Sequence, residues 1–180
     1  GACAGLATES ELFDGQAQVG DHLVGIPSSG IHSNGLTLAR EAVTRNHAYT
    51  DPFPHDEDRT IGEVLLEPTR IYRDALEPLQ ATETHATAHI TGGGWTNLER
   101  MGECRYVIED GFDPQPVFEF VQAEGDVTDE EMHRTFNMGT GFVAALPESD
   151  AEAVVDAIED ARVVGRVESG DGVAIRGLEL

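Results

Sequence analysis

Short apolar runs of strand character alternate along this chain with segments of helical period, and that alternation restricts it to layered α/β architectures. Residues 22–26, His-Leu-Val-Gly-Ile, predict a strand stopped by Pro27. Leu36, Ala39 and Val43 then recur at helical spacing, with Ser33 or Asn34 available as the N-cap. Residues 51–58, rich in Pro and acids, predict a surface loop. Residues 70–79 predict a helix with Ile71, Ala75 and Leu79 on one face, and 84–90 a strand running into glycines. A short helix follows over 95–101, then a strand over 105–108.

In the second half, Val117, Phe120 and Val121 predict a helix that ends at Gly125. Thr128 followed by Glu131 has the pattern of a capping box, as does Ser149 followed by Glu152. The second opens the clearest helix, with Ala151, Val154, Val155 and Ile158 on its buried stripe. A strand over 142–146 precedes it. Strands over 163–167 and 173–176 follow, joined by the turn Gly170-Asp171-Gly172.

A length of 180 residues suits one compact domain, or at most two small ones, with a core that needs no disulfide or metal staple. No apolar run approaches the ~20 residues that span a bilayer, so the expectation is a soluble, globular protein. Cys3 and Cys104 lack CxxC spacing and read as reduced thiols in a cytoplasm. The 7 histidines are scattered, with no HExxH or Cys/His cluster, so no metal site is expected in this chain. The start at Gly1, inside an apolar stretch and without an initiator Met, reads as a cut through a larger protein.

Charge narrows the partners. Against 34 Asp and Glu stand 11 basic residues, all of them Arg, for a net charge of −23. That balance argues against nucleic acid or an anionic membrane as the main partner. Self-repulsion on this scale costs stability at low ionic strength, and at ~1 M salt, where the Debye length is ~3 Å, it is largely screened. A lysine-free, acidic chain therefore points to a halophilic source with a salty cytoplasm.

Three loops carry the polar chemistry, each between a strand and a helix. Ser28-Ser29-Gly30-Ile31-His32-Ser33-Asn34-Gly35 offers hydroxyls, an imidazole and a helix N-terminus, a place suited to an anion. His32 can serve there as a general acid/base or as a donor to phosphate, or the loop can be a tight connection and nothing more. His89-Ile90-Thr91-Gly92-Gly93-Gly94 permits close backbone approach to a phosphate, without the order of a P-loop or a GxGxxG site. His89 there is either a site residue or a satisfied core histidine. In the third loop, residues 133–141, Arg134 and Asn137 can orient an anionic or polar substrate. In so acidic a chain Arg134 and Arg70 are also expected in internal ion pairs, and Phe136 and Met138 in packing.

In combination these segments are more specific. Ser28 to Gly35, then Leu65-Leu66-Glu67-Pro68-Thr69-Arg70-Ile71-Tyr72, then Ala88 to Gly94, then Met132 to Gly141 follow one another in an order that resembles the C-terminal domain of the phosphoribosylformylglycinamidine cyclo-ligase (aminoimidazole ribonucleotide synthetase) family. The resemblance spans nearly the whole chain. The glycine loop is shared more loosely with selenophosphate synthetase, thiamine-monophosphate kinase, the hydrogenase maturation factor and formylglycinamidine ribonucleotide synthetase.

The resemblance implies a three-layer α/β/α domain with partial ferredoxin-like topology. It implies an N-terminal domain outside this chain that carries most of the ATP site, the magnesium ligands and the dimer interface. The implied reaction uses ATP to phosphorylate the formyl oxygen of formylglycinamidine ribonucleotide, after which the substrate's amine closes the imidazole ring. Carried over residue by residue, His32 and His89 match active-site histidines, which implies His32 at the reacting or phosphate oxygens and His89 supporting or protonating the reacting centre, or the two roles exchanged. Ser28, Ser29, Gly30, Ser33 and Asn34 match a substrate-phosphate loop, Thr91, Gly92, Gly93 and Gly94 a second phosphate approach, and Asn137 the cleft lining. Trp95-Thr96 departs from the expected bulky-then-acidic pair, so no carboxylate is assigned there. Two alternatives stand beside this: another member of the superfamily acting on thiamine phosphate or selenide, and a free-standing domain that binds a phosphorylated metabolite without turnover.

Overall fold

The computed structural model describes residues 4–8, 12–13 and 15–180; Gly1 and Cys3 lie outside them. A seven-stranded sheet runs through the domain in the order β4-β6-β1-β7-β5-β8-β9. Its strands are β1 His22–Pro27, β4 Ala86–His89, β5 Arg105–Ile108, β6 Thr140–Leu146, β7 Arg162–Glu168, β8 Val173–Ile175 and β9 Leu178–Glu179. β1 pairs antiparallel with both β6 and β7, so those two run parallel to each other on either side of it. The helix α6, Glu148–Ala157, joins them. This split βαβ unit is the ferredoxin-like feature that the family resemblance implies. β5 inserts between β7 and β8 and pairs parallel with β8.

Alternation along β1 sorts its side chains into two cores. Leu23 packs with Ala88, Val143, Tyr106 and Val173 under the 3₁₀ helix Gly94–Met101, which contributes Trp95, Leu98 and Met101. Val24 and Ile26 face the other way, against Leu79 of α3, Leu76–Gln80, Ala151 and Val154 of α6, and Ile158 just past its end. Each large buried side chain contributes roughly 1.5–3 kcal/mol. The layers are thus helix, sheet and helix, as the three-layer expectation has it. A third core joins α1 Leu36–Val43, α2 Ile61–Leu65, α4 Pro116–Gly125 and α5 Asp129–Thr135 through Phe118, Phe136, Met132 and Val43.

Several local expectations are corrected. Helix α1 is capped by Gly35 at φ 63°, with no side-chain cap from Ser33 or Asn34. Residues 51–58 are not a loop: β2 Pro52–Phe53 and β3 Asp56–Thr60 form a hairpin. Ile71 is 83% exposed, because the chain over 70–72 is not yet helical. Ser149 lies inside α6, whose N-cap is Pro147, whereas the Thr128 hydroxyl does accept from the Glu131 amide. Among the described residues, no helix is long and apolar enough to cross a membrane.

Candidate functional site

Loops at one end of β1, β4 and β6 meet around three rings. Tyr72 stands between the two histidines, its centroid 6.5 Å from His32 and 5.5 Å from His89. Its hydroxyl donates to the Pro27 carbonyl at 3.2 Å, and burial raises its pKa to about 12, so it stays protonated. Gly141 makes the fit possible: a Cβ there would collide with the Tyr72 hydroxyl. Tyr72 belongs to a quoted motif, but its spacing alone gave it no role.

His32 is 5% exposed and sits at φ 61°, a left-handed conformation that costs a residue with a Cβ about 1 kcal/mol or more. Its Nε2 accepts from the Ser29 amide at 3.1 Å and lies 2.9 Å from the Ser29 hydroxyl oxygen. Burial, and then the neighbouring His89, lower its pKa to about 4. His89, last residue of β4 and paired with Phe142, is exposed rather than a core histidine. One side of its ring packs edge-on to Tyr72, and this partial desolvation lowers its pKa as well.

Of the phosphate-loop candidates, Ser28 and Asn137 turn inward. Asn137 is fully buried; its Oδ1 accepts from the Ser28 hydroxyl at 2.7 Å and the Gly139 amide at 3.0 Å, and its Nδ2 donates to the Gly30 carbonyl at 2.8 Å. It ties the first loop to the third and does not line a cleft, which corrects that expectation. Gln115, a residue with no sequence signal, adds a bond from its Nε2 to the Ser28 carbonyl at 2.6 Å. The Ser29 hydroxyl reaches the Pro68 carbonyl at 2.7 Å, and the Arg70 amide reaches Ser29 Oγ at 3.1 Å. Ser33 is exposed, whereas Asn34 is buried.

The three glycines are not equivalent. Gly92 and Gly93 are exposed and Gly92 has open space beside it, while Gly94, at φ 55°, packs so closely on the His133 carbonyl that a Cβ would collide. Asn97, absent from the sequence expectations, donates to the carbonyls of Thr91, Gly92 and Gly94 at 3.3, 3.1 and 2.7 Å and so fixes the loop. Thr96, the departure noted above, closes the turn by donating to the Gly93 carbonyl at 2.7 Å. Arg134 pairs with Glu130 at 3.0 Å and Arg70 with Asp160 at 3.7 Å, so both cations are internally engaged. Phe136 and Met138 are core residues.

Fold and loop arrangement together define a class: an α/β domain with glycine- and hydroxyl-rich loops gathered at one end of the sheet. The same fold occurs in a thiamine monophosphate kinase from Aquifex aeolicus, with TM-score 0.53, 17% identity, and coverage of 91% of this chain and 52% of that one. T. maritima PurL complexed with FGAR gives TM-score 0.51, 14% identity, and coverage of 96% and 28%. The chain belongs to the family described as AIR synthase related protein, C-terminal domain, whose model matches residues 18–177. It is 47% identical over 173 residues to the phosphoribosylformylglycinamidine cyclo-ligase of Methanosarcina acetivorans, covering 94% of this chain and 52% of that protein. To that of Methanopyrus kandleri it is 48% identical over 179 residues, covering 97% and 51%. The chain therefore spans about half the length of the curated relatives it matches.

Proposed function

We propose that this chain is the C-terminal half of an ATP-dependent cyclo-ligase that converts formylglycinamidine ribonucleotide to aminoimidazole ribonucleotide in purine biosynthesis. The observation that carries this is its 47–48% identity to curated cyclo-ligases across at least 94% of the chain, against 14–17% to proteins that share only the fold. In the reaction, the γ-phosphoryl group passes from ATP to the formyl oxygen and ADP departs. The substrate's amine then attacks the same carbon, phosphate leaves with the C–O electron pair, and the amine loses a proton. Positioning and charge stabilisation do most of the work in such a transfer.

His32 and His89 are the residues placed at the reacting centre. Thr91, Gly92 and Gly93 present the accessible part of the glycine loop to a phosphate, and Ser33 with the start of α1 is the part of the first loop left free to meet the ribose phosphate. Ser28, Asn137 and Gly94 hold these loops in place. Among the described residues no group of three or more His, Cys, Asp or Glu is arranged to hold a metal ion. Magnesium ligands, most of the ATP site and the contacts of a homodimer belong, in this proposal, to the half of the relatives that this chain does not span. A cytoplasmic, salt-adapted enzyme fits the acidic, lysine-free composition.

The test is ATP-dependent formation of aminoimidazole ribonucleotide in molar salt, by a polypeptide carrying both halves and by this chain alone. Turnover by the first and none by the second is expected. Turnover of thiamine monophosphate or selenide in place of the amidine would favour the other superfamily activities. Binding of the ribonucleotide without turnover by the longer polypeptide would favour a sensor.

A further inference from the structure

We infer that the two histidines divide the work: His32 is a neutral imidazole protonated on Nδ1 that acts as a fixed hydrogen-bond donor, and His89 is the group that takes the proton. The chemical step rests on the cyclo-ligase proposal; the tautomer and the titration of the rings do not.

Backbone amide hydrogens cannot rotate, so they reveal which ring nitrogen carries a lone pair. The Ser29 amide at 3.1 Å and the Arg70 amide at 3.5 Å both point at Nε2 of His32. A proton on Nε2 would face two N–H donors. The Ser29 hydroxyl, 2.9 Å away, rotates and adapts, donating to Nε2 or to the Pro68 carbonyl. The ring proton therefore sits on Nδ1, which is buried and has no hydrogen-bond partner among the described residues. An unmade buried hydrogen bond is costly, and an acceptor oxygen of a ligand supplies what is missing.

The surroundings keep that ring neutral. Across the Tyr72 ring lies His89 on β4, a second potential cation, and the Arg70 guanidinium lies 6.0 Å from the same ring. Glu67, the acid beside Gly30, is taken by Arg59 at 2.7 Å, and Asp160 by Arg70. Among the described residues no carboxylate acts on His32 to stabilise an imidazolium; its lowered pKa follows from burial and from His89. His89 differs in its placement: it is exposed at the strand end, and its ring nitrogens make no hydrogen bond among the described residues. As the C–N bond forms and the C–O bond to phosphate breaks, the neutral His89 ring accepts the amine proton and passes it to water. His32 donates its hydrogen bond to a phosphate or formyl oxygen and keeps its proton.

The experiment is histidine-selective ¹⁵N NMR between about pH 8 and 5, on the polypeptide carrying this chain, paired with pH profiles of kcat/KM. The expected spectrum shows a pyrrole-type Nδ1 and a pyridine-type Nε2 for His32, unchanged over the range, while His89 titrates at higher pH than His32. In the kinetics, His89→Gln removes the acidic limb and His32→Asn keeps it. His32→Asn, which retains a donor near the Nδ1 position and tolerates positive φ, exceeds the equally small His32→Asp by about tenfold or more. A pyridine-type Nδ1, a His32 that titrates in this range, or an acidic limb lost with His32→Asn and kept with His89→Gln overturns the assignment. Absence of turnover by the unaltered enzyme defeats the cyclo-ligase proposal and His89's role in it, and the spectrum still decides His32.

Discussion

The Asn137 carboxamide oxygen accepts a 2.7 Å hydrogen bond from the Ser28 hydroxyl, although 109 residues separate the two in sequence. Because Asn137 also serves the Gly30 carbonyl and the Gly139 amide, one side chain satisfies both loops. Replacing it by Ala strands the buried Gly30 carbonyl and Gly139 amide, each worth about 1–3 kcal/mol when unpaired, and leaves the Ser28 hydroxyl only the longer 3.3 Å bond to Gln115 Oε1. Asn137→Ala is expected to lower the unfolding free energy by about 3 kcal/mol or more. A shift in the denaturant midpoint no larger than that of an exposed control such as Ser33→Ala would show that the clip is dispensable.

Gly94 and Gly92 make opposite demands on a substitution. Gly94→Ala puts a Cβ at φ 55° into backbone atoms of His133, Arg134 and Phe136, which cannot move without opening the third loop. Gly92→Ala enters open space, so its stability stays within about 0.5 kcal/mol of the parent. Thermal unfolding of both variants checks this. A phosphate approaching the loop is expected to feel Gly92→Ala as weaker substrate binding, read as a raised KM with little change in melting temperature.

That difference marks where sequence legibility stopped. The strands at 105–108 and 142–146 and the helix over 116–125 were legible because their apolar periods are clean. The hairpin at Pro52–Thr60 was not, since Asp56-Glu57-Asp58 has the composition of a solvated loop and pairs there only because Phe53 and Ile61 anchor its flanks in the third core. Pairing of β5 with β8 is set by tertiary packing and leaves no local trace. The histidines were legible as site candidates from their loops. The burial of Asn137 was not, because a carboxamide just ahead of Gly139 and Gly141 reads equally as ligand contact or as internal clip. Asn97 follows the glycines at a spacing that could have suggested a loop-fixing amide.

Gly141 and Tyr72 are coupled by contact. Gly141→Ala collides with the Tyr72 hydroxyl and ring, so the ring must leave its place between the histidines. Overpacking of this kind costs roughly 1–3 kcal/mol. Tyr72→Phe, which loses only the 3.2 Å bond to the Pro27 carbonyl, is expected to cost about 1 kcal/mol and to leave the ring seated. Ring-current shifts at His89 report the difference: large for Gly141→Ala, small for Tyr72→Phe. Equal shifts in the two variants would refute the coupling.

Self-repulsion at a net charge of −23 predicts that stability rises with salt. Raising ionic strength from ~0.1 M to ~1 M shortens the Debye length from ~10 Å to ~3 Å. The exposed pairs Arg59–Glu67, Arg105–Glu179 and Arg134–Glu130 weaken at the same time, but each is worth at most about 1 kcal/mol. The melting temperature is therefore expected to climb with potassium chloride; a flat or falling dependence would mean that these pairs outweigh the repulsion.

Acid acts on the same chain through its buried imidazoles. His32 has a folded-state pKa of about 4 against 6.5 for the free side chain, so above pH 6.5 it is neutral in both states and its contribution is complete. As pH falls from 6.5 toward 4 the unfolded chain binds a proton that the folded chain refuses, and stability is lost. The full loss from this residue is on the order of 3 kcal/mol, reached near the lower pKa. Buried His133 and the exposed but partly desolvated His89, both with lowered pKa, pull in the same direction, while neutralisation of surface carboxylates relieves repulsion and opposes them. The His32 part is isolated by subtraction, comparing unfolding free energies of the parent and His32→Asn against pH at ~1 M salt. The parent curve is expected to fall more steeply on the acid side, and the two converge as pH drops. Parallel curves would mean that His32 is protonated as readily in the folded chain as in the unfolded one, against its placement under two backbone N–H donors.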